Sequence, residues 1–333
     1  MVATEKYVRQ TECSMMARQT PWTGSCMLTF SSKLHEKDQK QTKTIHQSRC
    51  VAPYKLQRAT HDLNGRCQLP LLHTAGGLVG GDQLTLNVSA EPNSLSMITS
   101  VAAQKVYGSV GRFQAQPEGQ WAAQSCEFNL SPNSDLEWLP QELVLYEGGL
   151  YEQQLKVNLS TDASFLGTDV VRLGRTAANE TLGFGRWRSS LEISRSTPNG
   201  QSWDLIDRFE INDASLETVH GMNHQPVIGS LVWAAPLDLP QASLEASVIK
   251  CHEARLGLDG WMACGRLKHG LVARYLGPSS QMARHWFIRI WGITREARGF
   301  CAPEIPRVWP LQEQQLDERM FSKNFSEEAF SSK

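Results

Sequence analysis

Alternating apolar and polar positions dominate the first two thirds of the chain. Leu84, Leu86 and Val88 fall on one side of a run with a period of two, and Gln83, Thr85 and Asn87 on the other. That is the pattern of a half-buried strand. The alternation returns in Cys126, Phe128 and Leu130 and in Leu155, Val157 and Leu159. Met27 to Phe30, Val51 to Leu56, Cys67 to Leu72, Ser96 to Val101 and Leu143 to Tyr146 read as further extended pieces, and Pro53 and Pro70 argue against helix. The polar stretch Ser31 to Thr42 reads as the turn of a hairpin. Turn signals separate the runs as far as Trp233, which predicts a mainly β fold.

The last third changes period. Leu244, Val248 and Cys251 lie at helical spacing within Ala242 to Leu256, after Pro240. Trp261 to Leu267 and Leu271 to Leu276 predict a hairpin around Lys268-His269-Gly270. Ser279-Ser280 offers an N-cap, and Met282, Trp286, Ile290 and Ile293 form a helical stripe, predicting a second helix over 279–297. Phe287 and Trp291 flank that stripe and are expected to be spare for a partner. Residues 1–20 and 312–333 read as flexible tails and 21–311 as the folded body.

Composition narrows the class. The chain has 333 residues, 41% hydrophobic, with a formal net charge of -1. That is ample for a large core and provides no global field for nucleic acid or an anionic membrane. No run is long and apolar enough to span a bilayer and no secretory leader follows Met1, so a cytoplasmic location is expected. No cysteine pair among the eight has C-x-x-C spacing, which argues against structural zinc. His220 and His224 would share a helix face, but Gly221, Asn223 and Pro226 predict a loop.

Candidate chemistry gathers at three acids and one turn. Four glycines fall between Gly76 and Gly81, directly before the strand from Gln83. A phosphate loop would open a helix instead, and no Lys-Ser or Lys-Thr follows the glycines. A tight, crowded turn is the physical reading. Asp82 is in phase with Leu84, Leu86 and Val88; Asp169 with Phe165, Val171 and Leu173; Asp207 with Trp203, Leu205, Phe209 and Ile211. Asp204, Arg208 and Glu210 fall on the opposite, solvated face. A carboxylate on an apolar face is costly unless paired, hydrated or bound to a cation. Two readings stand: buried acids satisfied by backbone amides or an arginine, with Arg172 a candidate for Asp169, or acids that line a hydrated interior.

Five segments, in order, resemble a known family, the urease accessory protein UreD family, also called UreH. They are Gly76-Gly77-Leu78-Val79-Gly80-Gly81-Asp82, Gln104-Lys105-Val106-Tyr107, Leu136-Glu137-Trp138-Leu139-Pro140-Gln141-Glu142, Leu173-Gly174-Arg175 with Glu180-Thr181, and Pro306-Arg307-Val308-Trp309. The likeness runs from about Trp22 to Trp309. His73-Thr74-Ala75 departs from the family's usual His-Pro-Pro, and Asn179 from its usual Gly. The resemblance implies a non-enzymatic scaffold whose strands wind in a helix-like stack or sandwich, with two α-helices in the C-terminal third. It implies a hetero-oligomeric complex with apo-urease, UreF and the nickel-carrying GTPase UreG. It further implies that no cofactor is held tightly and that nickel passes transiently along a path whose acids match Asp82, Asp169 and Asp207. The alternative is a β-rich, hydrolase-like or ligand-binding protein using the glycine turn and the same acids, which turnover of a small substrate by the isolated chain would reveal.

Overall fold

A strand with one apolar side must bury it, and this chain does so by coiling. The computed structural model describes residues 21–35, 38–112 and 114–309; both expected tails lie outside the described residues. In chain order the strands are β1 (Thr23–His35), β2 (Asp38–Val51), β3 (Tyr54–Leu56), β4 (Thr60–His61), β5 (Cys67–His73) and β6 (Gln83–Ala90). Then come β7 (Leu95–Ser100), β8 (Gln104–Val106), β9 (Ala122–Leu130), β10 (Asp135–Leu139), β11 (Leu143–Leu145) and β12 (Leu150–Leu159). The last strands are β13 (Ser164–Leu173), β14 (Arg186–Thr197), β15 (Gly200–Ile211), β16 (Val227–Ala234), β17 (Trp261–Leu267) and β18 (Gly270–Gly277). The helices are α1 (Asp213–Glu217), α2 (Gln241–Glu253) and α3 (Ser280–Ala297).

Consecutive strands do not pair with one another through the middle of the chain. They alternate between two large sheets, and each pairs in parallel with the strand one coil earlier. The first sheet runs β15-β14-β12-β9-β6-β1-β2 and the second β17-β18-β16-β13-β10-β7-β5-β3. The short β8 and β11 make a third face, in parallel with the second half of β13. Parallel neighbours need a long crossover; here the crossover is the rest of the coil rather than a helix. The expected helix-like stack is therefore the architecture. Antiparallel hairpins close both ends.

Burial follows from the layers. In β6 the pattern alternates strictly, with Leu84, Leu86 and Val88 buried between the sheets. In β10 and β13 most residues on both faces are buried, because the second sheet is covered on both faces. Its inner face joins the core between the sheets, and its outer face packs under α2 and α3.

Both long helices fall where the period predicted them, and the Ser279 hydroxyl caps α3 by accepting from the Met282 amide at 3.4 Å. The apolar stripe of α3 is wider than expected. Phe287 and Trp291 are 3% and 1% exposed, packed with Trp286 and Ile290 against the second sheet, so this flank is not spare for a partner. The closing motif covers the same layer: the Trp309 indole N–H donates to Thr99 Oγ1 at 2.6 Å.

Two local expectations are corrected. The hairpin of β1 and β2 forms, but its strands continue through most of Ser31 to Thr42, which was expected as turn; β-branched Thr42 and Thr44 suit a pleated ribbon even among polar neighbours. In β15 the pairing with β14 slips at Ile193 and Ser194, leaving Asp204 as an extra residue. This bulge reverses the phase on one side of it. Trp203, expected inside, is 57% exposed, and Asp204, expected in solvent, has a side chain 3% exposed against Arg195.

A buried ionic cluster ties α3 and the segment after it to the coil. Arg295 donates to Glu137 at 2.9 and 2.7 Å and to Asp62 at 2.9 Å. Arg66 donates to Asp135 at 2.5 Å, and Arg298 bonds both Asp135 and Glu137. Burial by itself would raise the Asp135 carboxyl; Arg298 and Arg66 outweigh it and hold the group down to about 2. Burial likewise opposes ionisation of Glu137, and the surrounding guanidinium groups win there too.

Candidate functional site

The coil encloses a cavity of about 470 Å³ between its sheets. It runs along the stack from Tyr54, His73 and Gly76 at one end to Asp207 and Arg274 at the other. Parallel pairing stacks equivalent positions, so a polar residue at an inward position acquires polar neighbours. Gln124, Gln153 and Ser189 lie opposite one another on β9, β12 and β14. On the facing sheet Asp169, Ser230 and Arg274 form one row across β13, β16 and β18. Asp207 reaches toward that row from the edge strand β15.

Hydrogen bonds join these rows. The Tyr151 hydroxyl donates to Gln124 Oε1 at 2.9 Å, and the Gln124 amide donates to Tyr54 Oη at 2.9 Å. Gln153 donates to Asp169 and, at 3.2 Å, to Ser189 Oγ. Arg274 donates to Ser230 Oγ and to Asp207. Burial pushes the Asp169 carboxyl up to about 6, with Gln153 and Arg274 opposing the rise. Arg172 is not its partner; it leaves the other face of β13 and donates to Thr176 at 3.0 Å and Ser280 at 3.2 Å.

The three acids separate into two kinds. Asp169 and Asp207 line one cavity. Asp82 is fully buried beside the glycine turn and is not among the lining residues. Its Oδ1 accepts from the Trp22 amide at 2.8 Å and its Oδ2 from the Val79 amide at 2.9 Å, so it pins the start of β1 to the turn. The turn is crowded, as expected: Gly77 has φ +152°, and a Cβ there would meet Tyr107 Cε2 at 2.6 Å. His73 connects the regions: it lines the cavity, and burial lowers its imidazole while the nearby Asp82 charge opposes that fall.

Among the described residues, no group of three or more His, Cys, Asp or Glu side chains is arranged to hold a metal ion. His220 and His224 fall in the turns after α1, not on a helix. Sequence phase missed Gln124 and Gln153, although the test that singled out the acids applies to them. Gln124 is in phase with Cys126 and Phe128, and Gln153 with Leu155 and Val157. Arg274 is in phase with Val272 and Leu276, but Leu271, Ala273 and Tyr275 make the opposite side of β18 apolar as well, so phase alone did not single it out.

Fold and site together define a class: a protein of coiled strands around a charged interior cavity, roofed by two helices. Residues 23–310 match the family model described as UreD urease accessory protein. The chain is 58% identical over 299 residues to a urease accessory protein UreD of Prochlorococcus marinus (strain MIT 9303), covering 90% of this chain and 100% of that one. It is 54% identical to the namesake of Synechococcus sp. (strain CC9311), over 90% of this chain and 99% of the relative. The chain belongs to the UreD family of urease accessory proteins. No described helix is long and apolar enough to cross a membrane.

Proposed function

We propose that this chain is a non-catalytic subunit of the urease maturation machinery and conducts nickel through its interior toward apo-urease. The carrying observation is the cavity along the stack, with Asp169 and Asp207 facing into it. Carboxylate, amide and water oxygens are hard ligands that hold a divalent ion loosely compared with imidazole or thiolate. Loose holding suits a passage, since an ion trapped midway is never delivered. The same acids could serve a small ligand, as the alternative reading has it, but family membership favours maturation of urease.

The partners in this reading are apo-urease and UreF, with UreG joining through UreF, in the cytoplasm. Exposed apolar residues support docking at the open end of the stack. Trp203 and Ile206 on β15 and Trp261 on β17 are 57%, 48% and 53% exposed, on the free edges of the two sheets. Unpaired edges with apolar side chains invite a partner. The test is the nickel content of urease co-expressed with wild-type, Asp169→Asn or Asp207→Asn chain, with complex formation followed by pull-down. Normal assembly with reduced nickel is expected. Normal assembly with wild-type nickel content sinks the passage.

A further inference from the structure

Two carboxylates face the cavity and one guanidinium answers both. Arg274 donates to Asp207 across the gap between the sheets and to Ser230 beside it, and its charge acts on Asp169. It is the one arginine among the described residues that line the cavity. The bridge lies at the end of the stack, where the Arg274 and Asp207 side chains are 35% and 24% exposed. The Asp169 carboxylate lies deeper and, among the described residues, accepts from Gln153 alone. Gln141 also lines the cavity; it is 5% exposed, and its Nε2, closed off from solvent, has no hydrogen-bond partner among the described residues.

These facts set a charge constraint. Two ionised acids facing an enclosed space are costly without a cation. A guanidinium held by a flexible, partly exposed side chain supplies one without leaving the molecule. A divalent cation that enters competes with Arg274 for the same oxygen of Asp207. We propose that Arg274 is an exchangeable counter-ion of the passage: it neutralises Asp207 and offsets part of the Asp169 charge when the passage is empty, gives way to an entering divalent cation, and returns to displace it. Asp207, the acid that Arg274 bonds, is then never left bare. Holding is loose because a tethered competitor is always present at high local concentration. The proposal rests on the nickel-passage reading and assigns the residue that sets its affinity.

The test uses the full chain co-expressed with the urease and accessory proteins of its host, and Ni²⁺ alone as probe in equilibrium dialysis. Arg274→Gln is expected to retain Ni²⁺ about tenfold more tightly than wild type, the scale set by removing one partly desolvated opposing charge. Arg274→Gln with Asp207→Asn should lose that gain. Arg274→Lys keeps the charge but not the two-pronged reach, and should fall between wild type and Arg274→Gln. Methylguanidinium added to Arg274→Ala should restore loose holding, which a merely structural role would not produce. Urease in cells carrying Arg274→Gln should fill with nickel more slowly. Unchanged or weaker Ni²⁺ retention in Arg274→Gln with its fold intact overturns the exchange. If that variant does not fold, Arg274→Lys decides, and retention equal to wild type overturns it. The two ideas fail differently. If Asp169→Asn and Asp207→Asn impair nickel loading while the Arg274 variants bind like wild type, the passage stands and the exchange falls. If the acid variants load urease normally, both fall.

Discussion

Arg195 Nε lies 2.7 Å from Asp204 Oδ2, with both side chains closed off from solvent. The same guanidinium donates to the carbonyls of Ser160, Thr161, Ala163 and Ala235, at 3.1, 3.0, 2.8 and 2.8 Å. One arginine thus ties the β14–β15 hairpin to the chain entering β13 and leaving β16. The bulge makes this possible by turning Asp204 inward, while Asp207, three residues on, faces the cavity mouth.

Asp204→Asn and Asp207→Asn should therefore differ sharply, although both remove one charge from one strand. The first leaves Arg195 buried without its counter-charge, and breaking such a pair costs about 3–5 kcal/mol. The second unpairs a group that solvent reaches, and should cost about 1 kcal/mol or less. Urea midpoints of the two variants check this. Equal midpoints would mean that the bulge does not bury Asp204 as described.

Asp169 makes a pH prediction with a defined sign. Its carboxyl is pushed up to about 6 from an ordinary 3.8, so between those values the folded chain binds more protons than the unfolded one. Stability from this group is present at low pH and falls as pH rises through about 6. Asp169→Asn, which is always neutral, should raise stability at pH 7 by up to about 2 kcal/mol, at 1.4 kcal/mol per pKa unit less relaxation. Near pH 4 the gain should vanish. Thermal melts of both proteins at the two pH values measure it.

The cluster beneath α3 behaves in the opposite way. Asp135 is held down to about 2 and Glu137 is also lowered, so both favour the folded state above about pH 4. That contribution is lost as pH falls toward 2. Glu137→Gln strips Arg295 and Arg66 of a buried counter-charge and should destabilise the chain by about 3–5 kcal/mol at neutral pH. Its deficit should shrink on acidification. Loss of near-ultraviolet tryptophan signal is the readout, since Trp291 and Trp309 pack in the same layer.

Gly77→Ala tests the turn. The substitution places a Cβ 2.6 Å from Tyr107 and 3.0 Å from the Lys105 carbonyl, at a φ that L residues avoid. A loss of at least about 2 kcal/mol is expected from strain of this kind. Gly76→Ala has open space around it and should lose less. Equilibrium unfolding of the pair separates crowding from conformational preference.

Local pattern was enough for much of this protein. The period of two in Leu84, Leu86 and Val88 is dictated by the pleat, and the Ser279 cap with the Trp286 and Ile290 stripe by the helix repeat. The inward phase of Asp82, Asp169 and Asp207 follows from the same geometry. Phase alone does not say what an inward acid meets. Asp82 meets the amides of Trp22 and Val79; Asp169 meets Gln153; Asp207 meets Arg274, 67 residues away along the chain. A bulge at Asp204 exchanged inside for outside because a single unpaired residue shifts the alternation, and that residue is chosen by the partner strand. The sequence by itself determined many of the strands and both long helices, and which side most of them bury, since those are properties of the local backbone. Only the tertiary structure decided that coiling stacks the polar positions around one cavity, because that depends on which distant strands lie side by side.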